Sequence, residues 1–360
     1  MLCHSHYFRR MSLFILSFSF IYLNVQAQTS SFEADSATAM KLFEQAKEKF
    51  ARFEKEHGGY IQTRNVRMHY LTWGKPSGVP LIWVHGTGLN AYELLPLADS
   101  LTKAGYYIVA IDYYGHGLTP IPKQEVSIYH VADDIKALMD KLKIKKAVIG
   151  GFSRGGFSTT AFYDTYPERA LGLILVDGGS TAVLTHWHEY DIDSLKGTVK
   201  STMATWGKDT TYASEFEAYY FDREQRAKKD RFELLARIKQ TKDGKWAYNP
   251  HQMEWLHEDT PEHVLDNILR PTRVPLFESS GLLLQPKVVY RNLHVPMLII
   301  DPVSENDGFP WEKYNKQLQQ THPTLIEHKI YPNTNHGAHL LRPSEFIKDA
   351  AAFLKRVKNF

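Results

Sequence analysis

Short apolar runs at 81–84, 107–111, 147–149, 171–176, 297–300 and 326–331 are separated mostly by helix-length segments, such as 91–104, 128–143, 155–165 and 312–321. A helical pattern at 344–357 closes the chain. Continuous apolar strands alternating with helices imply a parallel sheet covered on both faces. A further run at 66–73 reads as an exposed edge strand. The expected fold is α/β, a doubly wound, mostly parallel sheet. Ahead of it, Met40, Phe43, Ala46, Phe50 and Phe53 recur at helical spacing within 33–57, with Lys and Glu between them. That pattern predicts an amphipathic helix packed on the body and stopped by Gly58-Gly59.

The alternation breaks from about 181 to 290. This stretch is too long for a loop inside a compact domain, and parts of it, notably 213–240, have a helical pattern. It reads as an inserted, mainly helical subdomain. Its Trp187, Trp206, Tyr219, Tyr220, Phe221, Trp246 and Trp255 suggest an apolar lid, although most of them are expected to pack the insertion itself. The resulting organisation is a leader at 1–27, a helical extension at 28–57, a core at 58–180 and 291–360, and a cap at 181–290.

Composition narrows the class of protein. A hydrophobic fraction of 43% and a charged fraction of 23% are ordinary for a globular chain and speak against disorder. There are 43 Lys and Arg against 40 Asp and Glu. Arg9 and Arg10 fall in the first 27 residues, which carry no acid, so the remainder is close to neutral. A near-neutral body lacks the clustered basic footprint of a nucleic-acid binder. The single cysteine is Cys3, so a chain without its leader has no disulfide, no thiol nucleophile and no cysteine-bound metal.

The N-terminus has the pattern of a secretory signal. Arg9 and Arg10 precede an apolar run at 11–23, followed by Val25-Gln26-Ala27 with small residues at both positions a signal peptidase reads. The run is about 13 residues, against the roughly 20 a membrane-spanning helix needs. The expectation is export, periplasmic or secreted, with a mature N-terminus at or near Gln28 and no stable membrane span. An uncleaved anchor is the alternative.

The chemistry centres on Gly151-Phe152-Ser153-Arg154-Gly155-Gly156. It follows an apolar strand and precedes a helical pattern of Phe157, Ala161 and Phe162, the context in which G-x-S-x-G exposes a serine nucleophile on a tight turn. A serine hydroxyl needs a base to take its proton. Asn335-His336-Gly337-Ala338-His339 lies after the last strand, and His336 is the base expected there, with His339 the alternative. A tetrahedral intermediate also needs N–H donors for its oxyanion. His85-Gly86-Thr87-Gly88 follows the 81–84 strand, and the N–H groups of Thr87 and Arg154 are the natural pair. His186 and His188 have no carboxylate cluster to complete a metal site and read as solvated residues. No nucleotide, phosphate or metal motif is present, so no cofactor is expected.

Taken together, these segments resemble the α/β-hydrolase superfamily in its branch with a helical cap, esterase- and lipase-like, over roughly 58–180 and 291–360. His85-Gly86 resembles its oxyanion loop. Asp112-Tyr113-Tyr114-Gly115-His116-Gly117 resembles its structural Asp-x-x-Gly-x-Gly turn, and Gly151 to Gly155 its nucleophile elbow. Tyr166-Pro167-Glu168 resembles the end of the helix behind the elbow, and His336 with His339 and Pro343 resembles its catalytic-histidine loop. The cap falls where the family inserts one, between the sixth and seventh strands. One departure concerns the triad acid. The usual Gly-x-x-Asp after the seventh strand is replaced by Asp301-Pro302-Val303-Ser304-Glu305-Asn306-Asp307-Gly308-Phe309-Pro310, without the glycine and with a longer loop. Counted back from Pro310 the acid is Asp307, and counted from the strand end it is Glu305. Asp301 is too close to the strand end, and Asp177, after the sixth strand, is a less usual position. Asp307 is the choice adopted.

The resemblance implies a serine hydrolase acting on a carboxylic ester or related acyl bond of a small, partly apolar molecule. The triad would be Ser153, His336 and Asp307, with Thr87 and Arg154 as oxyanion donors. Ser153 argues against the epoxide hydrolases and dehalogenases of this fold, which use aspartate there. Tyr113, Tyr114 and Arg154 depart from the Asp-Gln-Arg-Gly and post-serine tryptophan of its proline-releasing peptidases. Acyltransferases and carbon–carbon hydrolases share the triad, and a non-catalytic binding protein on this fold is the remaining alternative.

Overall fold

The computed structural model describes residues 36–204, 210–221, 231–305 and 310–360. The expected leader at 1–27 lies outside them. The strands of the main sheet are β1 (Gly58–Gln62), β2 (Arg67–Trp73), β3 (Val79–Val84), β4 (Tyr106–Ile111), β5 (Ala147–Phe152) and β6 (Ala170–Val176). After an insertion that carries the short strands β7 (Ile238–Gln240) and β8 (Trp246–Tyr248), β9 (Met297–Val303) and β10 (Ile326–Pro332) complete it. The order is β1-β2-β4-β3-β5-β6-β9-β10, antiparallel at β1/β2 and β2/β4 and parallel elsewhere.

Side chains alternate across each strand, so one apolar run feeds two cores. Ile82 and Val84 of β3 join Val109, Ile111 and Ile149 on one face, under the helices α3 (Ile128–Lys141) and α4 (Arg154–Thr165). Leu81 and Trp83 join Ile108, Ala110 and Val148 on the other face. That face is covered by α1 (Ser36–His57), α2 (Ala98–Ala104) and the closing helix Pro343–Asn359.

The 66–73 run does form a strand, but it is not the edge. β1 pairs outside it and leaves most of β2 buried. Gly58-Gly59, expected only as a helix stop, ends α1 and at once opens that outer strand.

Between β6 and β9 the insertion carries the helices Ile192–Met203, Glu215–Phe221, Pro261–Leu269 and Leu276–Leu282. Its β7–β8 hairpin stands inside and just beyond the stretch expected to be helical. The insertion is not a free-standing lobe. Its Leu195, Val199, Leu256, Val264 and Phe277 belong to the core cluster on one face of the sheet, and its Ala218, Tyr219 and Phe232 to the cluster on the other. α1 braces it from outside. Phe43 packs on Phe216 and Tyr219 with ring centroids 5.6 and 5.5 Å apart, and Phe53 packs on Phe232 at 5.2 Å.

Candidate active site

The end of β5 and the start of α4 form a sharp turn with Ser153 at its apex. Ser153 has φ 53° and ψ −122°, a backbone conformation that costs a non-glycine residue about 1–3 kcal/mol. Its neighbours explain how the turn closes. A Cβ on Gly151 would stand 2.3 Å from the Gly155 carbonyl oxygen, and one on Gly155 would stand 2.0 Å from that of Val84. Only glycine permits both approaches. The serine is 2% exposed, and its N–H donates to the Val176 carbonyl at 3.0 Å, which ties the turn to the next strand.

That next strand supplies the carboxylate. Asp177 directly follows β6, with φ 47° and its N–H donating to the Ile300 carbonyl at 2.9 Å. Its Oδ2 accepts from His336 Nδ1 at 2.5 Å. An ionised carboxylate on Nδ1 fixes the tautomer and leaves Nε2 as the acceptor. Ser153 Oγ and His336 Nε2 are both buried without a hydrogen-bond partner among the described residues. Serine–histidine contacts are often long until substrate binds. Phe152, beside the serine, packs on the His336 ring at 4.6 Å and on the His339 ring at 4.8 Å.

Asp307 lies outside the described residues. Glu305 is exposed. Asp301 is buried and engaged elsewhere, accepting from Asn315 Nδ2 at 2.9 and 3.0 Å and from His328 Nε2 at 2.6 Å. Burial raises its carboxyl above the usual range. The partner of His336 is thus the carboxylate just past β6, the strand beside that of Ser153, a position ranked low from sequence. Its signal was Asp177-Gly178-Gly179 at a strand end. Gly178 packs so tightly under the elbow that a Cβ there would stand 2.2 Å from the Ser153 carbonyl oxygen.

The loop after β3 lies against the elbow. A Cβ on Gly86 would meet the Phe152 ring at 2.7 Å and Ser153 Cβ at 3.3 Å. Thr87 is buried, and its Oγ1 accepts from Arg154 Nε at 2.8 Å. As the first residue of α4, Arg154 has an N–H that the helix ladder does not use. Glu93, which sequence reasoning did not single out, holds this loop from behind. Its Oε2 accepts the Gly86 N–H at 3.0 Å, while its Oε1 accepts both Trp83 Nε1–H and His339 Nε2–H at 2.8 Å. His339 is therefore a fully buried anchor rather than a group at the serine.

Two further clusters surround the site. His85 stacks on Tyr113 at 4.3 Å, and burial holds both His85 and His116 below their ordinary range, hence neutral. The Arg154 guanidinium meets two carboxylates of the insertion, donating to Glu258 Oε1 at 2.8 Å and to Glu278. Burial pushes Glu258 up to about 8 and Glu278 in the same direction. Asp112 has the structural role expected of it, accepting from the Ala91 and Leu118 N–H groups and from His69 Nδ1. His188 and His186 lie on the insertion, the former against the Ile268 carbonyl at 3.2 Å and the latter against Trp187 and Tyr190. Among the described residues no three metal-ligating side chains come together, and no helix is long and apolar enough to cross a membrane.

An eight-stranded, mostly parallel sheet with a serine at the apex of a strand–helix turn, and a histidine held by a carboxylate on later loops, points to a class of fold. The family model of the alpha/beta hydrolase fold matches residues 79–343, and the chain belongs to that family. Among characterised sequences it is similar to the AB hydrolase superfamily protein YisY of Bacillus subtilis, 33% identical over 100 residues, or 28% of this chain and 37% of that protein. It is likewise similar to the proline iminopeptidase of Neisseria gonorrhoeae, 32% identical over 124 residues, or 33% of this chain and 39% of the relative. Each match thus spans well under two thirds of the relative's length. Among solved structures, a thioesterase domain from the curacin biosynthetic pathway superposes with a TM-score of 0.57 at 16% identity, covering 84% of this chain and 99% of that one. E-2-(acetamidomethylene)succinate hydrolase gives a TM-score of 0.57 at 17% identity, over 82% of this chain and 100% of its own. At such identities the likeness is one of fold.

Proposed function

We propose that this chain is a serine hydrolase that cleaves a carboxylic ester or related acyl bond of a small, partly apolar molecule. The observation that carries the reading is the strained, buried Ser153 at the elbow, together with a histidine whose Nδ1 is held by a carboxylate. In this reading Ser153 Oγ attacks the acyl carbon while His336 Nε2 takes its proton. The carbonyl oxygen gains the negative charge and accepts from the N–H groups of Thr87 and Arg154. His336 then gives the proton to the departing alkoxide, leaving an acyl-enzyme. Water attacks that ester by the same route and restores the serine. Asp177 keeps the imidazole in the tautomer that leaves Nε2 free to act.

Labelling with a fluorophosphonate probe tests this, alongside turnover of p-nitrophenyl esters of graded acyl length. Ser153 should carry the label, and Ser153→Ala should lose both label and turnover. An unlabelled, inactive wild-type protein would favour a binding role on this fold instead.

We further propose that the chain is exported, on the strength of Arg9-Arg10, the apolar run and Val25-Gln26-Ala27. Intact mass of the protein recovered outside the cytoplasm should place the N-terminus within a few residues of Gln28. Retention of Met1 or Met11 there would refute cleavage.

A further inference from the structure

The insertion reaches the loop after β3 by two separate routes. The first runs through Arg154, which is 4% exposed. Its Nη2 donates to Glu258 Oε1 at 2.8 Å and to Glu278 Oε1 at 3.4 Å, its Nη1 donates to Glu278 Oε2, and its Nε donates to Thr87 Oγ1 at 2.8 Å. A guanidinium is a rigid planar fork. Two carboxylates that fix its outer nitrogens therefore fix the direction of Nε–H, and with it the side chain of Thr87. The second route is Asn249, also of the insertion, whose Nδ2 donates to the Gly88 carbonyl at 3.1 Å. Thr87 and Gly88 are the central residues of a turn closed by one backbone bond, the Leu89 N–H on the Gly86 carbonyl at 3.2 Å, and Gly88 has φ 76°. That bond and the Glu93 carboxylate on the Gly86 N–H fix the base of the turn, and the contacts to Thr87 Oγ1 and the Gly88 carbonyl fix its tip.

We propose that Glu258 and Glu278 are positioning residues for the oxyanion hole, acting through the Arg154 guanidinium on Thr87, so that seating the insertion and shaping the hole are one event. This rests on the serine-hydrolase reading. Neither glutamate touches substrate in it. A buried cluster of one cation and two carboxyl groups is a poor device for stability, since well-packed neutral side chains often do as well. It is a good device for direction. The backbone N–H of Thr87 then points at the developing oxyanion only while the insertion is in place.

The triple variant Arg154→Met/Glu258→Gln/Glu278→Gln separates direction from stability. It should unfold within a few degrees of wild type and keep KM for p-nitrophenyl acetate within about threefold. Its kcat, and the rate at which a fluorophosphonate labels Ser153, should both fall about 10²-fold, the scale of losing one oxyanion donor. Thr87→Val and Thr87→Ser supply a second test that leaves the cluster intact. Serine keeps the oxygen that Arg154 Nε needs and should retain most of kcat, whereas valine should lose about tenfold or more. A folded triple variant with full kcat, a loss confined to KM, or a valine variant as active as the serine one overturns the proposal. A wild-type protein that neither turns over esters nor takes the label overturns the underlying hydrolase reading as well, so the two failures are distinguishable.

Discussion

Asp177 reaches His336 Nδ1 at 2.5 Å from the strand beside the nucleophile's own, across 159 positions of sequence. Asp177 and Ser153 each follow the end of one of two paired strands, β5 and β6, which run in register from Val148↔Gly172 to Phe152↔Val176. Asp177 is the first residue past β6, and its N–H on the Ile300 carbonyl at 2.9 Å ties it to β9.

Asp177→Asn tests this arrangement most directly. The amide keeps the volume but no longer dictates the tautomer, and turnover of a p-nitrophenyl ester should drop by up to ~10⁴-fold with little change in KM. Asp307→Asn and Glu305→Gln should each cost far less. Kinetics that rank either of these above Asp177→Asn would return the role to the loop after β9.

Relief of strain at the elbow should be measurable apart from activity. Ser153→Gly and Ser153→Ala both abolish the nucleophile, but only glycine is at ease at φ 53°. The glycine variant should be the more stable of the two by about 1 kcal/mol in urea unfolding. An alanine variant of equal or greater stability would mean that the turn stores no strain.

His69 should make stability fall on the alkaline side. Burial alone would lower it, but the charge and hydrogen bond of Asp112, with those of Glu54, more than reverse that and raise it to about 9, from an ordinary 6.5. Protons are then bound more tightly in the folded state. The contribution is complete below about pH 6.5 and is lost as pH rises through 9. Thermal midpoints should decline across that window in wild type. His69→Gln should be less stable at neutral pH and should lack this decline, and a parallel decline in both proteins would assign it to other groups.

Glu93 offers a test of the oxyanion loop's support. Glu93→Gln cannot accept from Gly86, Trp83 and His339 at once, because one of its ends becomes a donor facing a donor. Stability should fall by about 1–3 kcal/mol, and kcat should fall with it while KM moves less. Unchanged unfolding in urea would show that the carboxylate is not needed there.

Much of this was legible in the chain because a buried parallel strand is written in consecutive residues. The runs at 81–84 and 171–176 need no partner to be recognised, and the glycines around Ser153 report a local turn. What stayed hidden depends on neighbours far apart in sequence. β1 begins at Gly58-Gly59, which locally reads as a break, and it becomes a strand only because β2 lies beside it. The β7–β8 hairpin has three residues a side and no apolar alternation long enough to register. Asp177 ranks below Asp307 and Glu305 from sequence, because nothing local shows that the end of β6 lies beside His336. Glu258 and Glu278 stand 104 and 124 positions from Arg154, and nothing local marks either as its partner.

The seat of α1 has a consequence for the order in which the molecule is built. Its Phe43 and Phe53 pack on Phe216, Tyr219 and Phe232, about half a chain length downstream. An amphipathic helix draws most of its stability from packing its apolar face, and closing so long a loop carries an entropy cost before any contact repays it. The two ends of α1 therefore dock at different times: Phe53 finds Trp73 and Tyr92 close in sequence, whereas Phe43 must wait for Phe216 and Tyr219. A nascent chain still short of Phe216 leaves the Phe43 end of the stripe uncovered, and refolding should show that end settling after the sheet, as the closing keystone of the assembled body.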